Sequence, residues 1–340
     1  MSTKISPIQL QQGTQVPQSK NRRLRTLGSI AILGAALAAG ATGPQRGAAL
    51  AEFTQSQATV AKLEAKIAAL EKRVDEQVTL DEVASICREV KPSIVEINHD
   101  LTSVGIPLEI VEQMGHPNGS GIVVATIDEG KKGGYIATNW HVLNLPAFGI
   151  PGITEENLKT LEVELLLYDG TKVKARPFYI TNTEGKSVLA KSEEHELALL
   201  KTEDDISSIK PIAFADTEPE AGEPVLVIGS PFGFEQSVSL GVVSAIRDID
   251  FTVHEFNPDL VSGKAITKAI QTDAAINPGS SGGAIISIKD GKLISMSTFI
   301  IPDRIFHGIG FGNSAPELAS KIGPWIPSHT LDDSGRFIEN

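Results

Sequence analysis

An all-β fold is predicted for the greater part of this chain, on three observations. After Leu80 the 260 remaining residues repeat short apolar runs of strand length, separated by Gly, Pro, Asn and Asp. Asp169-Gly170 and Asp290-Gly291 each lie between two such runs, as hairpin turns that fix strand register do. The runs themselves are Ile94–Ile97, Gly121–Ala125, Tyr135–Thr138, Val163–Leu167, Leu197–Leu200, Pro224–Ile228, Gly241–Ile246, Ala284–Ile288, Leu293–Ser297 and Gly308–Phe311. Many short strands of this kind suit a barrel or a sandwich.

The N-terminal segment is of another character. Residues 1–26 are polar and end in the basic run Lys20-Asn21-Arg22-Arg23-Leu24-Arg25, and a short apolar stretch of small residues follows from Leu27 to Ala41. A basic region, a short apolar region and small-residue cleavage candidates at Ala39-Gly40-Ala41 or Ala49-Leu50-Ala51 describe a signal peptide over residues 1–51, with an uncleaved signal anchor as the alternative. Export from the cytoplasm is the corresponding expectation, with membrane attachment if the anchor is retained. The chain carries a formal charge of -12, and the first 51 residues contribute +6 with no acid, which leaves -18 for the rest. A body that acidic argues against nucleic acid as a partner. Cys87 is the only cysteine, so no intrachain disulfide forms and stability rests on packing.

Between residues 52 and 79 the apolar positions follow a helical seam. Val60, Ile67 and Val74 fall at a and Leu63 and Leu70 at d, with Lys66 at g and Glu71 at e, over about three heptads. This pattern predicts a coiled-coil helix that joins subunits, the a/d residues favouring a dimer. A single amphipathic helix lying on the globular domain is the other reading. Two spans break the strand alternation: Asn144–Leu161, with Pro146, Gly149, Pro151 and Gly152, and Asp248–Ser262, with Pro258 and Asp259. Both read as surface loops.

The chemistry is expected at Gln271–Ile286. Gly279, Gly282 and Gly283 surround Ser281, and an apolar strand follows at once. Glycine accepts backbone angles closed to other residues, so such a loop can aim amide N–H groups of Gly279, Ser280 and Ser281 inward beside a hydroxyl. Rigid inward donors are what a developing oxyanion requires. A serine is a weak nucleophile without a base, and His141, at the end of the strand run Tyr135–Thr138, is the histidine placed to serve. His99, His116, His195, His254, His307 and His329 show no ligand spacing and most of them are expected at the surface, so no metal and no cofactor is anticipated.

These blocks resemble the HtrA/DegP-type proteases of the trypsin-like class. The likeness takes in Glu89-Val90-Lys91-Pro92-Ser93-Ile94-Val95, Gly119-Ser120-Gly121-Ile122-Val123, Tyr135–Val142, Gly229-Ser230-Pro231-Phe232-Gly233, Gly241-Val242-Val243-Ser244-Ala245, Gln271–Ala284 and Gly308-Ile309-Gly310-Phe311, in family order. It implies two six-stranded antiparallel β-barrels of the chymotrypsin type across residues 80–320, with His141 from the first and Ser281 from the second. It also implies cleavage of unfolded polypeptides, a quality-control role outside the cytoplasm in a bacterial periplasm or cell envelope, and a trimer. Gly279-Ser280-Ser281-Gly282-Gly283 also satisfies the esterase G-x-S-x-G pattern, but that elbow needs a strand-to-helix turn and a histidine downstream of the serine.

Two departures from the family follow. Its orienting aspartate is replaced here by Glu196, at the head of Glu196-Leu197-Ala198-Leu199-Leu200-Lys201. Glutamate carries the same charge on a longer arm and serves in triads of other folds; an impaired enzyme acting as an oligomeric scaffold or chaperone-like binder is the alternative. The second departure is the short stretch after Ala315, read as a C-terminal tail over residues 321–340, with no PDZ domain. Ala275 and Ile276 precede the serine loop where trypsin-like enzymes build the base of the specificity pocket. Neither is acidic, so Lys or Arg is not expected there, and the apolar pocket resembles that of the family, which implies a small aliphatic side chain.

Overall fold

The computed structural model describes residues 57–62, 64–66, 79–109, 111, 118–127, 133–145, 154–230, 236–250, 265–300 and 308–340. The chain divides into two units, Met1–Gln77 and Val78–Asn340. In the first, residues 57–62 and 64–66 are helical; the signal segment and the seam positions Leu63, Ile67, Leu70 and Val74 lie outside the described residues.

The second unit holds two closed antiparallel barrels. In the first, β1 (Ile94–Asp100) pairs with β2 (Asn118–Thr126) and β4 (Glu162–Leu166), β5 (Lys172–Pro177) follows β4, and β9 (Leu197–Thr202) closes the ring by pairing with both β5 and β3 (Gly134–Thr138). A short strand, β8 (Lys191–Ser192), extends this sheet at β9, and β6 (Tyr179–Thr181) pairs with β7 (Ser187–Leu189) in a separate hairpin. The second barrel runs β10 (Pro224–Gly229), β11 (Ser237–Asp250), β12 (Ala265–Thr272), β15 (Gly310–Ser314), β14 (Leu293–Ile300) and β13 (Ala284–Ser287) around its closed ring. All ten sequence-predicted runs overlap a strand.

The period-2 alternation of these strands decides which core each side chain enters. On β9, Ala198 and Leu200 point into the first barrel, with Val95, Ile97, Ile136 and Leu165. Leu197 and Leu199 point the other way, into a second cluster with Leu226, Ile228, Ile286 and Met296 of the second barrel. The second barrel fills its own interior with Val225, Val227, Val243, Ile270, Ile285 and Ile294. Burying each such side chain contributes roughly 1.5–3 kcal/mol.

Three expectations are corrected. Strand character does not begin at Leu80: Leu80–Val90 is a helix, α1, opened by a reciprocal Thr79–Glu82 capping box, and Val83, Ile86, Cys87 and Val90 at helical spacing pack on the core between the barrels. Residues 321–340 are no free tail. A helix, α3 (Ala315–Trp325), and the hairpin of β16 (His329–Leu331) and β17 (Phe337–Glu339) belong to the domain, with Ile322, Ile326 and Phe337 buried and the Phe337 ring edge-on to Phe214. The span Asn144–Leu161 is not all surface, because Leu145, Leu158 and Leu161 anchor it in the first barrel's core.

Candidate active site

The strand β3 delivers the site's histidine. Thr138 ends it, and a single helical turn, α2 (Trp140–Leu143), carries His141 with its side chain 26% exposed. Across from it, β8 and β9 form a hairpin whose four-residue connection, Glu193–Glu196, places Glu196 at φ +45°. A left-handed residue at the end of such a connection fits a hairpin, but it is normally Gly or Asn. The Glu196 side chain is almost wholly buried, at 4% exposure, and its Oε2 lies 2.9 Å from His141 Nδ1 and 3.1 Å from the His141 amide nitrogen. A carboxylate can only accept, so Nδ1 carries the proton and Nε2 keeps a lone pair. The rival acids are elsewhere: Glu193 pairs with Lys191 at 3.0 Å, and Glu194 is largely exposed.

The serine comes from the turn between β12 and β13. Its loop is bound to the first barrel by Ser120 of β2. The Ser120 amide donates to the Ser281 carbonyl at 2.8 Å, and its hydroxyl donates to the Gly279 carbonyl at 2.8 Å while accepting from the Ser230 amide at 2.8 Å. Thr138 Oγ1 donates to the Ser120 carbonyl at 2.8 Å, which ties the histidine strand into the same knot. Gly282, at φ +82°, lies so close to this knot that a Cβ there would meet the Ser120 carbonyl oxygen at 2.1 Å.

Of the three amides expected at the oxyanion position, that of Ser280 is committed: it donates to the Asn277 carbonyl at 2.9 Å and the side chain is buried. The expectation is narrowed to Gly279 and Ser281, whose amides have no protein acceptor among the described residues. The Ser281 hydroxyl is hydrogen-bonded to the Thr298 carbonyl at 3.4 Å, and among the described residues no Ser281–His141 hydrogen bond is present. Ala275 is exposed, its carbonyl receiving the Ser239 hydroxyl at 2.7 Å, whereas Ile276 is 9% exposed and packed in the second barrel's core.

The remaining histidines depart from expectation. His99, His195 and His329 are buried, and His116, His254 and His307 lie outside the described residues. His329 Nε2 is 3.0 Å from the Thr126 carbonyl and its ring is edge-on to Tyr135. Among the described residues no group of acidic, His and Cys side chains has the grouping of a metal site. Sequence reasoning missed Asn139, Thr298 and Asn313, a buried polar cluster behind Glu196. The visible signal was a pair of polar residues, Thr298 and Asn313, in strands whose other residues are small or apolar.

The trypsin-like peptidase domain family matches residues 119–296, just over half of the chain. Among curated relatives, the chloroplastic Protease Do-like 8 of Arabidopsis thaliana is 36% identical over 182 residues, covering 52% of this chain and 34% of its own. The periplasmic serine endoprotease DegP of Salmonella typhimurium is 32% identical over 209 residues, covering 60% and 35%. The serine protease Do-like HtrA of Bacillus subtilis is 33% identical over 197 residues, covering 57% and 36%. The chain thus spans about a third of the length of these relatives. Solved structures with a similar arrangement include the HtrA-type protease AlgW with tripeptide, at TM-score 0.48 and 24% identity over 70% of this chain and 62% of that one. The serine endoprotease from Yersinia pestis gives TM-score 0.48 and 23% identity over 74% and 68%. With two closed six-stranded barrels and a glycine-rich serine loop between β12 and β13, this chain belongs to the trypsin-like peptidase domain family, and its curated relatives include HtrA/DegP-type serine proteases.

Proposed function

We propose that the chain is a serine endopeptidase of the HtrA/DegP type that cleaves unfolded or misfolded polypeptides, with Ser281 as nucleophile, His141 as general base and Glu196 as the acid that orients it. The observation that carries this reading is the 2.9 Å contact of His141 Nδ1 with a buried Glu196, in a domain of the peptidase family. That contact fixes the tautomer in which Nε2 is free to accept the serine proton.

In this reading Ser281 Oγ attacks the carbonyl carbon of the scissile bond as its proton passes to His141 Nε2. The negative charge that develops on the substrate oxygen is received by the Gly279 and Ser281 amides. The C–N bond then breaks, the proton on Nε2 goes to the departing amine, and an acyl ester on Ser281 remains. Water, deprotonated by His141, cleaves the ester and returns the proton to Ser281. The buried carboxylate of Glu196 stabilises the imidazolium that exists between the two transfers. Removing the orienting acid of such a triad costs on the order of 10⁴ in rate.

Attack requires the Ser281 hydroxyl to turn from the Thr298 carbonyl toward His141. That resting hydrogen bond favours a second reading, a latent or weakly active protease fold that serves as an oligomeric scaffold. Substrate selection is assigned to the surroundings of Ala275 and Ile276, where the absence of an acid disfavours Lys and Arg. Extracytoplasmic residence and assembly through the residue 52–79 seam, as a trimer by likeness to the family or as a dimer, complete the proposal.

The test is to incubate the purified protein with unfolded casein and a fluorophosphonate probe beside Ser281→Ala. Fragments and labelling from the parent alone are expected. Identical fragment patterns with no labelling of either protein would remove the protease reading in favour of the scaffold.

A further inference from the structure

Glu196 stands at φ +45°, a left-handed angle unfavourable for a residue with a side chain, so something must hold it there. Two side-chain amides grip the carbonyls on either side of its N–Cα bond. Asn139 Nδ2 donates to the Glu196 carbonyl at 2.9 Å, and Asn313 Nδ2, from β15 of the other barrel, donates to the His195 carbonyl at 2.5 Å. The second hydrogen of each amide reaches the same oxygen, Thr298 Oγ1, at 3.2 Å and 3.4 Å. Thr298 Oγ1 gives its own proton to the Met296 carbonyl at 2.9 Å. Every lone pair and proton of that hydroxyl is thereby used.

All partners of the two amides are acceptors toward them, so both must present nitrogen and not oxygen. Asn139 sits at the N-cap of α2, where an asparagine ordinarily caps the helix through its side chain, yet its side chain makes no capping bond. It is spent on this cluster instead. Asn313, 1% exposed in a strand otherwise lined with small and apolar residues, has no packing reason to be polar. Thr298 also receives the Ser281 hydroxyl on its carbonyl. One threonine thus links the acid's backbone, the residue two before His141, and the serine.

We propose that Asn313 is a positioning residue for the acid: through its bonds to the His195 carbonyl and Thr298 it holds the left-handed turn that aims Glu196 at His141. It touches neither substrate nor the reacting atoms. The proposal rests on the peptidase reading above, and its test separates the two.

Asn313→Leu and Asn313→Asp both keep the side chain's shape and remove the N–H donors, so the loss of the donor is read even if one variant folds poorly. Expected for both is a fall in kcat of about ten- to a hundredfold with KM within about twofold, the size of loss that misplacement by an ångström produces. In a Glu196→Ala background the same substitutions should change the rate of fluorophosphonate labelling by less than about twofold, since residues acting as a unit are non-additive. Independently of turnover, the low-field proton resonance of His141 Nδ1–H should be shifted or lost in both variants. A labelled parent with variants of equal kcat, or an equal loss in both backgrounds, overturns the positioning role alone. An unlabelled parent whose resonance still responds to Asn313 removes the peptidase reading and leaves the clamp standing. A resonance unchanged in both variants overturns the clamp.

Discussion

A single oxygen of Glu196, Oε2, faces both the ring Nδ1 and the backbone amide of His141, at 2.9 Å and 3.1 Å. One carboxylate oxygen therefore fixes the imidazole's tautomer and the helical turn that carries it. Both contacts are at hydrogen-bond length, so a shorter arm would lengthen them. Glu196→Asp withdraws the carboxylate by about one C–C bond, 1.5 Å, and is expected to lower kcat/KM about 10²-fold. Glu196→Gln keeps the length but offers an amide, with an expected loss of about 10⁴. Peptide hydrolysis by both variants checks this; an aspartate variant as fast as the parent contradicts the fit described here.

Gly282 has no room for a methyl group. At φ +82° a Cβ would lie 2.1 Å from the Ser120 carbonyl oxygen and 2.4 Å from Thr138 Oγ1, and the first of these is backbone that cannot step aside. Gly282→Ala is expected to destabilise by about 2–4 kcal/mol, overpacking and the left-handed angle together. Thermal melting and probe labelling should both report it. Labelling at the parental rate would show that the serine loop tolerates displacement from β2.

Ser120 supplies the hydroxyl that the Gly279 carbonyl and the Ser230 amide share. Ser120→Ala leaves the buried Ser230 amide unpaired, at a cost of about 1–3 kcal/mol, and frees the half-buried Gly279 carbonyl at a smaller one. Because the Gly279–Ser280 peptide loses its anchor, kcat is expected to fall further than stability alone explains. Chemical denaturation beside acylation kinetics checks the pair of effects. A destabilised variant with unaltered acylation would confine Ser120 to a structural role.

Burial, and next the charge of Lys321, hold the His195 imidazole below its usual range, against the smaller opposing pull of Glu194 and Glu317. The unfolded chain consequently binds a proton on this ring, between about pH 6.5 and the depressed folded value, that the folded chain refuses. The contribution is fully present above about pH 6.5 and is lost as pH falls through the folded pKa. His195→Gln should flatten the decline in Tm between about pH 7.5 and pH 5 relative to the parent. Parallel declines would remove His195 as its source.

The seam of Val60, Leu63, Ile67, Leu70 and Val74 predicts that assembly depends on the N-terminal helix. Deletion of residues 53–79 should lower the subunit number measured by light scattering. An unchanged number would assign assembly to the barrel domain.

The strands of both barrels were legible where apolar residues ran uninterrupted, as in Val225–Ile228 or Ala284–Ile286, which are buried throughout. They were illegible where one face is wet. The strand β5 alternates Lys172, Lys174 and Arg176 with Val173 and Ala175, and β12 carries Lys268 and Gln271. The helix Leu80–Val90 was hidden because its apolar stripe is narrow and its other face polar. Phe337 and Ile322 looked like tail residues, since burial at a chain end depends on where that end is led in space.

By itself the sequence determined the chemistry on offer: a serine among glycines, a histidine upstream at a strand end, a glutamate before a buried strand, and the barrels that carry them. Only the tertiary structure decided how these are held. It showed Glu196 at a left-handed angle, with one carboxylate oxygen on both the ring and the amide of His141. It also showed Ser120, Thr298, Asn139 and Asn313 fastening the acid and the serine loop across the two barrels. The reason is physical: composition and period report which face of an element is apolar, whereas hydrogen bonds between residues more than a hundred positions apart exist only once the barrels have closed upon each other.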